Sequence, residues 1–182
     1  MKQILIIVLL ITVFSCGGPE ARRPVKVKTG NLKSSVDRNR KLLALEEAMI
    51  SKIIEADSAH TYTNSATGSW YYHVVENTTD TYTPLPDDLV TMSYNIVSFN
   101  NDTIYSMEDI GVLKYKVDKQ ELFPGLRHSV KLLKKGETAT FLYPSSLAYG
   151  YHGDEQKIGV NVPIKATVTL FEIEKQNNNI QN

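Results

Sequence analysis

Apolar residues are distributed along this chain in three different ways. Ile4 to Phe14 is an almost unbroken apolar run behind Met1-Lys2-Gln3. It is about eleven residues long, against roughly twenty for a helix that spans a bilayer, and so has the proportions of the hydrophobic region of a cleaved export signal. Leu42, Leu45, Met49, Ile50, Ile53 and Ile54 then recur at spacings of three and four. That pattern predicts an amphipathic helix from Val36 to Ala56, with Ser34 as its start and Asp37 in its first turn. Its stripe must be covered by the chain's own domain or by a second copy, and the pattern does not choose. From Ser69 onward the period shortens to that of strands. Ser69 to Val75 is aromatic and β-branched, and Leu89 to Ser98 alternates, with Val90, Met92, Tyr94 and Ile96 on one face. Leu113 to Val117, Thr138 to Tyr143 and Lys165 to Glu174 complete the strands. Pro124-Gly125 opens a short helix to about Leu133, since Pro suits the first helical position. One short helix against a mostly antiparallel sheet is an α+β layout.

These segments divide the chain into a signal over residues 1–15, a tether over 16–33 and a helical extension over 34–68. A folded domain over 69–175 and an Asn/Gln-rich tail over 176–182, expected to be disordered, complete it. Charge adds little to the body. Lys2 is the only charge before Cys16, so 19 basic and 20 acidic side chains remain, and this balance gives no sign of a nucleic-acid partner. Arg22, Arg23, Lys26, Lys28, Lys33, Arg38, Arg40 and Lys41 are opposed in their stretch only by Asp37. This segment is a solvated, self-repelling tether or, alternatively, a strip resting on anionic headgroups at roughly 1 kcal/mol per cation. The first is the preferred reading.

Val13-Phe14-Ser15-Cys16-Gly17 resembles a bacterial lipobox, in which an aliphatic and a small residue precede the lipidated cysteine. Cys16 is also the only cysteine, and a free thiol suits an oxidising compartment poorly. The resemblance implies an acylated Cys16 that holds the chain to a membrane outside the cytoplasm, where more than one acyl chain anchors stably. Gly17 is not the aspartate that signals inner-membrane retention, which points to an outer-membrane anchor facing the periplasm.

The usual chemistry is missing. His60, His73, His128 and His152 have no paired spacing suited to a metal. No nucleophile elbow, phosphate loop or dinucleotide fingerprint occurs, and no cofactor is expected. Glu46-Glu47 and Asp87-Asp88 read as solvated acids.

The stretch from Glu121 to Glu174 resembles FKBP-type peptidyl-prolyl isomerases. Glu121-Leu122-Phe123-Pro124-Gly125-Leu126 is similar to the family's E-V-I-P-G-W at the start of its helix, and Lys134-Lys135-Gly136-Glu137 to its M-K-x-G-E turn. Pro144-Ser145-Ser146-Leu147-Ala148-Tyr149-Gly150 is close to I-P-x-x-L-A-Y-G, and Pro163-Ile164-Lys165-Ala166-Thr167 to I-P-P-x-A-T. The resemblance implies a twisted antiparallel sheet wrapped over a short helix, with proline-containing polypeptides as partners. It places catalytic contacts at Tyr149, Phe123 and Leu126, and peptide contacts at Tyr94, Tyr105, Ser106, Leu113, Leu122, Val162 and Leu170. Tyr149 would donate a hydrogen bond from the rim, as would the Leu122 amide.

Three departures stand out. Leu126 replaces the tryptophan of the pocket floor, Ser106 replaces an aspartate with loss of a polar contact, and Leu170 replaces an aromatic. Phe123 is larger than the family's Ile or Val and refills volume at the floor. The implied function is a lipid-anchored, attenuated isomerase. The alternative is a non-catalytic chaperone or structural component of a motility or secretion machine. Leu45 to Ile50, His60-Thr61-Tyr62 and Trp70-Tyr71-Tyr72 further resemble the FKBP-type lipoproteins associated with gliding motility in Bacteroidetes.

Overall fold

A computed structural model describes residues 29–176, of which residues 36 to 176 belong to one compact unit. Cys16, the signal, most of the tether and all of the Asn/Gln-rich tail but Gln176 lie outside the described residues. Helix α1 (Thr29–Ala56) comes first, then strands β1 (Thr63–Asn64), β2 (Trp70–Val75), β3 (Leu89–Tyr94), β4 (Ile96–Ser98) and β5 (Thr103–Tyr105). Helix α2 (Met107–Ile110), strand β6 (Leu113–Lys116), helix α3 (Pro124–Val130), strand β7 (Thr138–Tyr143), a 3-10 turn (Ser145–Leu147) and strand β8 (Ile164–Glu174) follow.

All strand pairs are antiparallel, and the main sheet runs β1-β2-β7-β8-β3-β6. The eleven-residue β8 organises it. Along one side β8 pairs with β7, and along the other with β3 and then β4. The alternation over 89–98 predicts a single strand. It is broken at Asn95, whose Oδ1 accepts the Thr167 amide at 2.8 Å while its own N–H reaches the Thr167 carbonyl at 3.1 Å. A side-chain amide that substitutes for a ladder group bends the strand without leaving a buried donor unpaired.

The core lies between the sheet and α3. Val90, Met92, Tyr94 and Ile96 point into it, as the alternation requires, and meet Leu126 and Val130 of α3, Phe141 and Tyr143 of β7, and Val168 and Leu170 of β8. The Pro124-Gly125 pair has a packing reason. A Cβ on Gly125 would stand 2.5 Å from the Tyr143 ring and 2.8 Å from the Leu147 carbonyl oxygen, so only glycine lets α3 approach both.

Helix α1 departs from the sequence pattern in two respects. It begins at Thr29, ahead of Ser34, and has no acid in its first turn. Its buried row is also rotated from the expected stripe. Glu46 and Ile50 are buried, with Leu42, Ile53 and Ile54 half-buried, while Leu45 is 66 % and Met49 45 % exposed. Residues 42, 46, 50 and 54 form one i, i+4 ridge, and this ridge faces the domain. Glu46 therefore is not a solvated acid, because its Oε2 accepts the Ser145 N–H at 2.9 Å. Asp88 is buried too, accepting the Tyr82 hydroxyl and the Leu85 and Gln176 amides. Periodicity counts apolar residues, so a buried acid inside the row shifts the apparent stripe by a residue.

Candidate functional site: an aromatic cleft above helix α3

Two hollows meet on the rings of Tyr94 and Tyr149. The first, about 430 Å3, is lined by Tyr94, Glu121, Leu122, Phe123, Pro124, Ala148 and Tyr149. The second, about 340 Å3, is lined by Tyr94, Ile96, Tyr105, Ile110, Tyr149, Asp154 and Gln156. Each side comes from a different structural device.

Tyr94 ends β3 with its ring in the core. Phe123 is the extended residue just before α3, followed by Pro124 at the first helical position, and no side-chain hydrogen bond caps that end. Phe123 is only 8 % exposed, and its ring is the hub of the cluster. It lies 6.2 Å from Tyr94 and 5.5 Å from Tyr143, both edge-on, and 5.2 Å from Tyr149 in a tilted arrangement. Such pairs add to the energy of burial alone. Tyr143 is fixed beneath by its hydroxyl, which donates to Ser129 Oγ at 2.7 Å.

Tyr149 is carried by the 3-10 turn. The Ser145 carbonyl accepts the Ala148 N–H at 3.0 Å and the Gly150 N–H at 2.9 Å, so one carbonyl holds the residues on both sides of Tyr149. Gly150 sits at φ +57°, in the left-handed region that glycine enters at no steric cost. The motif Ala148-Tyr149-Gly150 thus encodes a turn that presents the tyrosine.

The expected residues separate into groups. Tyr94, Leu122, Phe123 and Tyr149 line the first hollow, and Tyr105 joins from the second. Leu126 and Leu170, expected to touch the peptide, are fully buried in the core and line neither hollow. Leu113 and Val162 are half-buried against the same core. Ser106 has another task. Its Oγ accepts the Asp109 amide and its own N–H donates to Asp109 Oδ2, a capping box that starts α2.

A carboxylate nevertheless stands in the second hollow. Asp154 Oδ2 accepts the Tyr105 hydroxyl at 2.5 Å, and its Oδ1 accepts the Ile158 and Gln156 amides. This carboxylate comes from the loop after Tyr149 and not from position 106. Gly153-Asp154 is visible in the sequence as turn chemistry. Its pairing with Tyr105, 49 residues away, is not.

Electrostatically the site is uniform. Burial pushes the Tyr149 hydroxyl well above its ordinary range, and the charges of the neighbouring Tyr94, Asp154 and Tyr105 groups push it further. Burial alone raises Tyr94. Burial works against the charge on Asp154, but the Tyr105 hydroxyl and the Ile158, Gln156 and Lys157 amides outweigh it and hold the carboxyl low. All the shifted groups move away from neutrality: the phenols stay protonated and Asp154 stays ionised. The cleft offers ring faces and phenol hydroxyls, with the carboxylates of Glu121 and Asp154 in its lining.

Residues 81–174, which contain every residue of both hollows, match the model of FKBP-type peptidyl-prolyl cis-trans isomerases, and the chain belongs to this family. A probable FKBP-type peptidyl-prolyl cis-trans isomerase FkpA of Neisseria meningitidis serogroup B is 33 % identical over 90 residues. That stretch is 50 % of this chain and 33 % of the relative, so the chain matches about a third of that protein's length. The crystal structure of FkpA from Escherichia coli is similar with a TM-score of 0.59 at 19 % identity, over 96 % of this chain and 83 % of that one. A peptidyl-prolyl cis-trans isomerase from Pseudomonas syringae pv. tomato gives 0.58 at 16 % identity, over 75 % and 96 % of the two chains. These two likenesses speak for the fold.

Proposed function

We propose that this chain catalyses cis-trans isomerisation of X-Pro bonds in polypeptides outside the cytoplasm, using the cleft between Tyr94, Phe123 and Tyr149. The barrier of about 18–20 kcal/mol arises from amide resonance. An apolar wall strips water from the amide carbonyl and so favours the twisted, less dipolar transition state over the planar ground state. Every 1.4 kcal/mol of that preference is worth about tenfold in rate. The observation that carries this reading is the composition of the first hollow: aromatic and aliphatic faces, with the exposed Glu121 beside them, around a phenol that stays protonated. Tyr149 and the Leu122 amide are the donors assigned to hold the flanking peptide.

A protease-coupled assay on a panel of X-Pro peptides tests the reading. Acceleration by the full chain supports it. A folded chain with no acceleration on any peptide refutes it and leaves the second reading, peptide binding without turnover. That second reading draws on Leu126 and Leu170, which stand where the family carries aromatic side chains and are both fully buried.

We further propose that Cys16 is acylated and anchors the chain to the outer membrane facing the periplasm, on the strength of its lipobox and its place as the only cysteine. No helix among the described residues is long and apolar enough to cross a membrane. Cys16→Ser should abolish lipid labelling and leave the chain soluble or unprocessed. Unchanged processing and membrane association would overturn the anchor. A place among the gliding-motility lipoproteins rests on the resemblance of the helix and of the Trp70-Tyr71-Tyr72 region.

A further inference from the structure

Glu46 is the one acid of helix α1 that is buried, 3 % exposed, and its partner is in the segment that builds the cleft. Its Oε2 accepts the Ser145 N–H at 2.9 Å, across 99 residues of sequence. Ser145 is itself buried, and its carbonyl is the group that accepts the Ala148 and Gly150 amides on either side of Tyr149. The chain of contacts is short: carboxylate of α1, N–H and then C=O of Ser145 on either side of its Cα, backbone on both sides of Tyr149.

From this geometry we propose that Glu46 is a positioning residue for the isomerase site. On this account the helical extension sets the placement of Tyr149 from outside the domain. The inference rests on the isomerase reading for its catalytic consequence. Glu46 is a poor choice for stability alone. Its Oε1 is buried without a hydrogen-bond partner, and a carboxylate buried on one amide is commonly matched or bettered by an aliphatic side chain of similar volume. What an aliphatic side chain cannot do is accept the Ser145 N–H and so fix where the turn begins. The same helix leaves Leu45 and Met49 in solvent while it buries this acid, so the face turned to the domain is the one that carries the acceptor.

The test uses the full chain with Glu46→Leu and Glu46→Gln, each with and without Tyr149→Phe. Three readouts are taken: kcat/KM on an X-Pro peptide, the melting curve, and the amide NMR signals of Ala148 and Gly150. Glu46→Leu should lower kcat/KM about tenfold, the scale of a small misplacement of a reacting group, and shift both amide signals. Glu46→Gln keeps an oxygen for the Ser145 N–H and should recover most of the rate. In the Tyr149→Phe background the Glu46→Leu effect should shrink to about threefold or less, since coupled residues are not additive. Ser145→Pro removes the donor from the other side, at a position where a turn tolerates proline, and should reproduce the loss.

Unchanged rate and amide signals in Glu46→Leu would overturn the proposal. So would a loss of equal size with and without the Tyr149 hydroxyl. If Glu46→Leu and Ser145→Pro both fail to fold, the contact is structural and the positioning role falls. Should the wild-type chain show no turnover, the isomerase reading fails by itself, and the Ala148 and Gly150 signals still decide whether Glu46 sets the turn.

Discussion

Helices α1 and α3 are held in place in opposite ways. α3 has seven residues, no side-chain cap, and Gly125, Leu126, Ser129 and Val130 buried. A helix this short has no stability in isolation, so α3 exists because the sheet and Tyr143 close over it. α1 has 28 residues, and among its described side chains only Glu46 and Ile50 are buried. The short helix is specified by its packing and builds the cleft directly. The long helix persists through its own length and is bonded to the cleft-building segment by the Glu46 carboxylate. Damage to α3 should therefore cost both fold and function, and damage to the outer face of α1 should cost neither.

The largest effect expected is that of Phe123→Ala. Emptying a buried phenylalanine costs about 3–5 kcal/mol, and this ring also touches Tyr94, Tyr143 and Tyr149. Denaturant unfolding should show a loss of that size, with peptide binding abolished. Gly125→Ala comes next, at about 1–3 kcal/mol for overpacking. Its new methyl would push on the Leu147 carbonyl, part of the turn that carries Tyr149. Its activity loss should therefore exceed what the melting curve explains.

Acid should weaken the sheet and, through the Tyr105–Asp154 pair, one side of the cleft as well. Burial opposes the charge on Glu137, but the Lys134 and Asn77 amides, the Lys134 ammonium and His73 overcome it and hold the carboxyl below its usual 4.5. Asp88 is likewise opposed by burial. The Tyr82 hydroxyl, the Leu85 and Gln176 amides and Lys175 hold it below its usual 3.8. A depressed carboxyl contributes stability that is present above its unfolded value and is lost as pH falls through its folded one. Stability should decline as pH drops below 4.5 and further below 3.8. Replacing Glu137 with Gln should flatten that acid limb, which a pH series of melting curves would show. The smallest effect belongs to the far side of α1. Leu45→Ser with Met49→Ser should change stability by no more than about 0.5 kcal/mol. A larger loss would show that this face is covered in solution, and a change of mass in sedimentation would identify a second copy as the cover.

The difference between the helices also explains what could be read in the sequence. The positions of β2, β3, β6, β7 and β8 and the start of α3 were legible because alternation, proline placement and the AYG turn are local signals, whereas β1, β5 and α2 are too short to carry a period. Tyr94, Phe123 and Tyr149 fall together because they sit on such motifs. The break at Asn95, the capping box at Ser106 and the Tyr105–Asp154 pair depend on partners distant in space, which periodicity does not register. Glu46 belongs with them: beside Glu47 it has the pattern of a solvated acid, and only the fold brings Ser145 to it.

The central claim, turnover at the Tyr149 rim, is tested most directly by exchange NMR on an X-Pro peptide with wild-type and Tyr149→Phe chains, from pH 6 to 9. The account predicts wild-type exchange well above the uncatalysed rate and a flat profile, because the shifted groups of the site all move away from neutrality. It also predicts a drop of about tenfold or less in Tyr149→Phe, the worth of one hydrogen bond of about 0.5–1.5 kcal/mol. A rate that ignores the loss of the Tyr149 hydroxyl, or one that titrates with a midpoint near pH 7, would place the chemistry elsewhere.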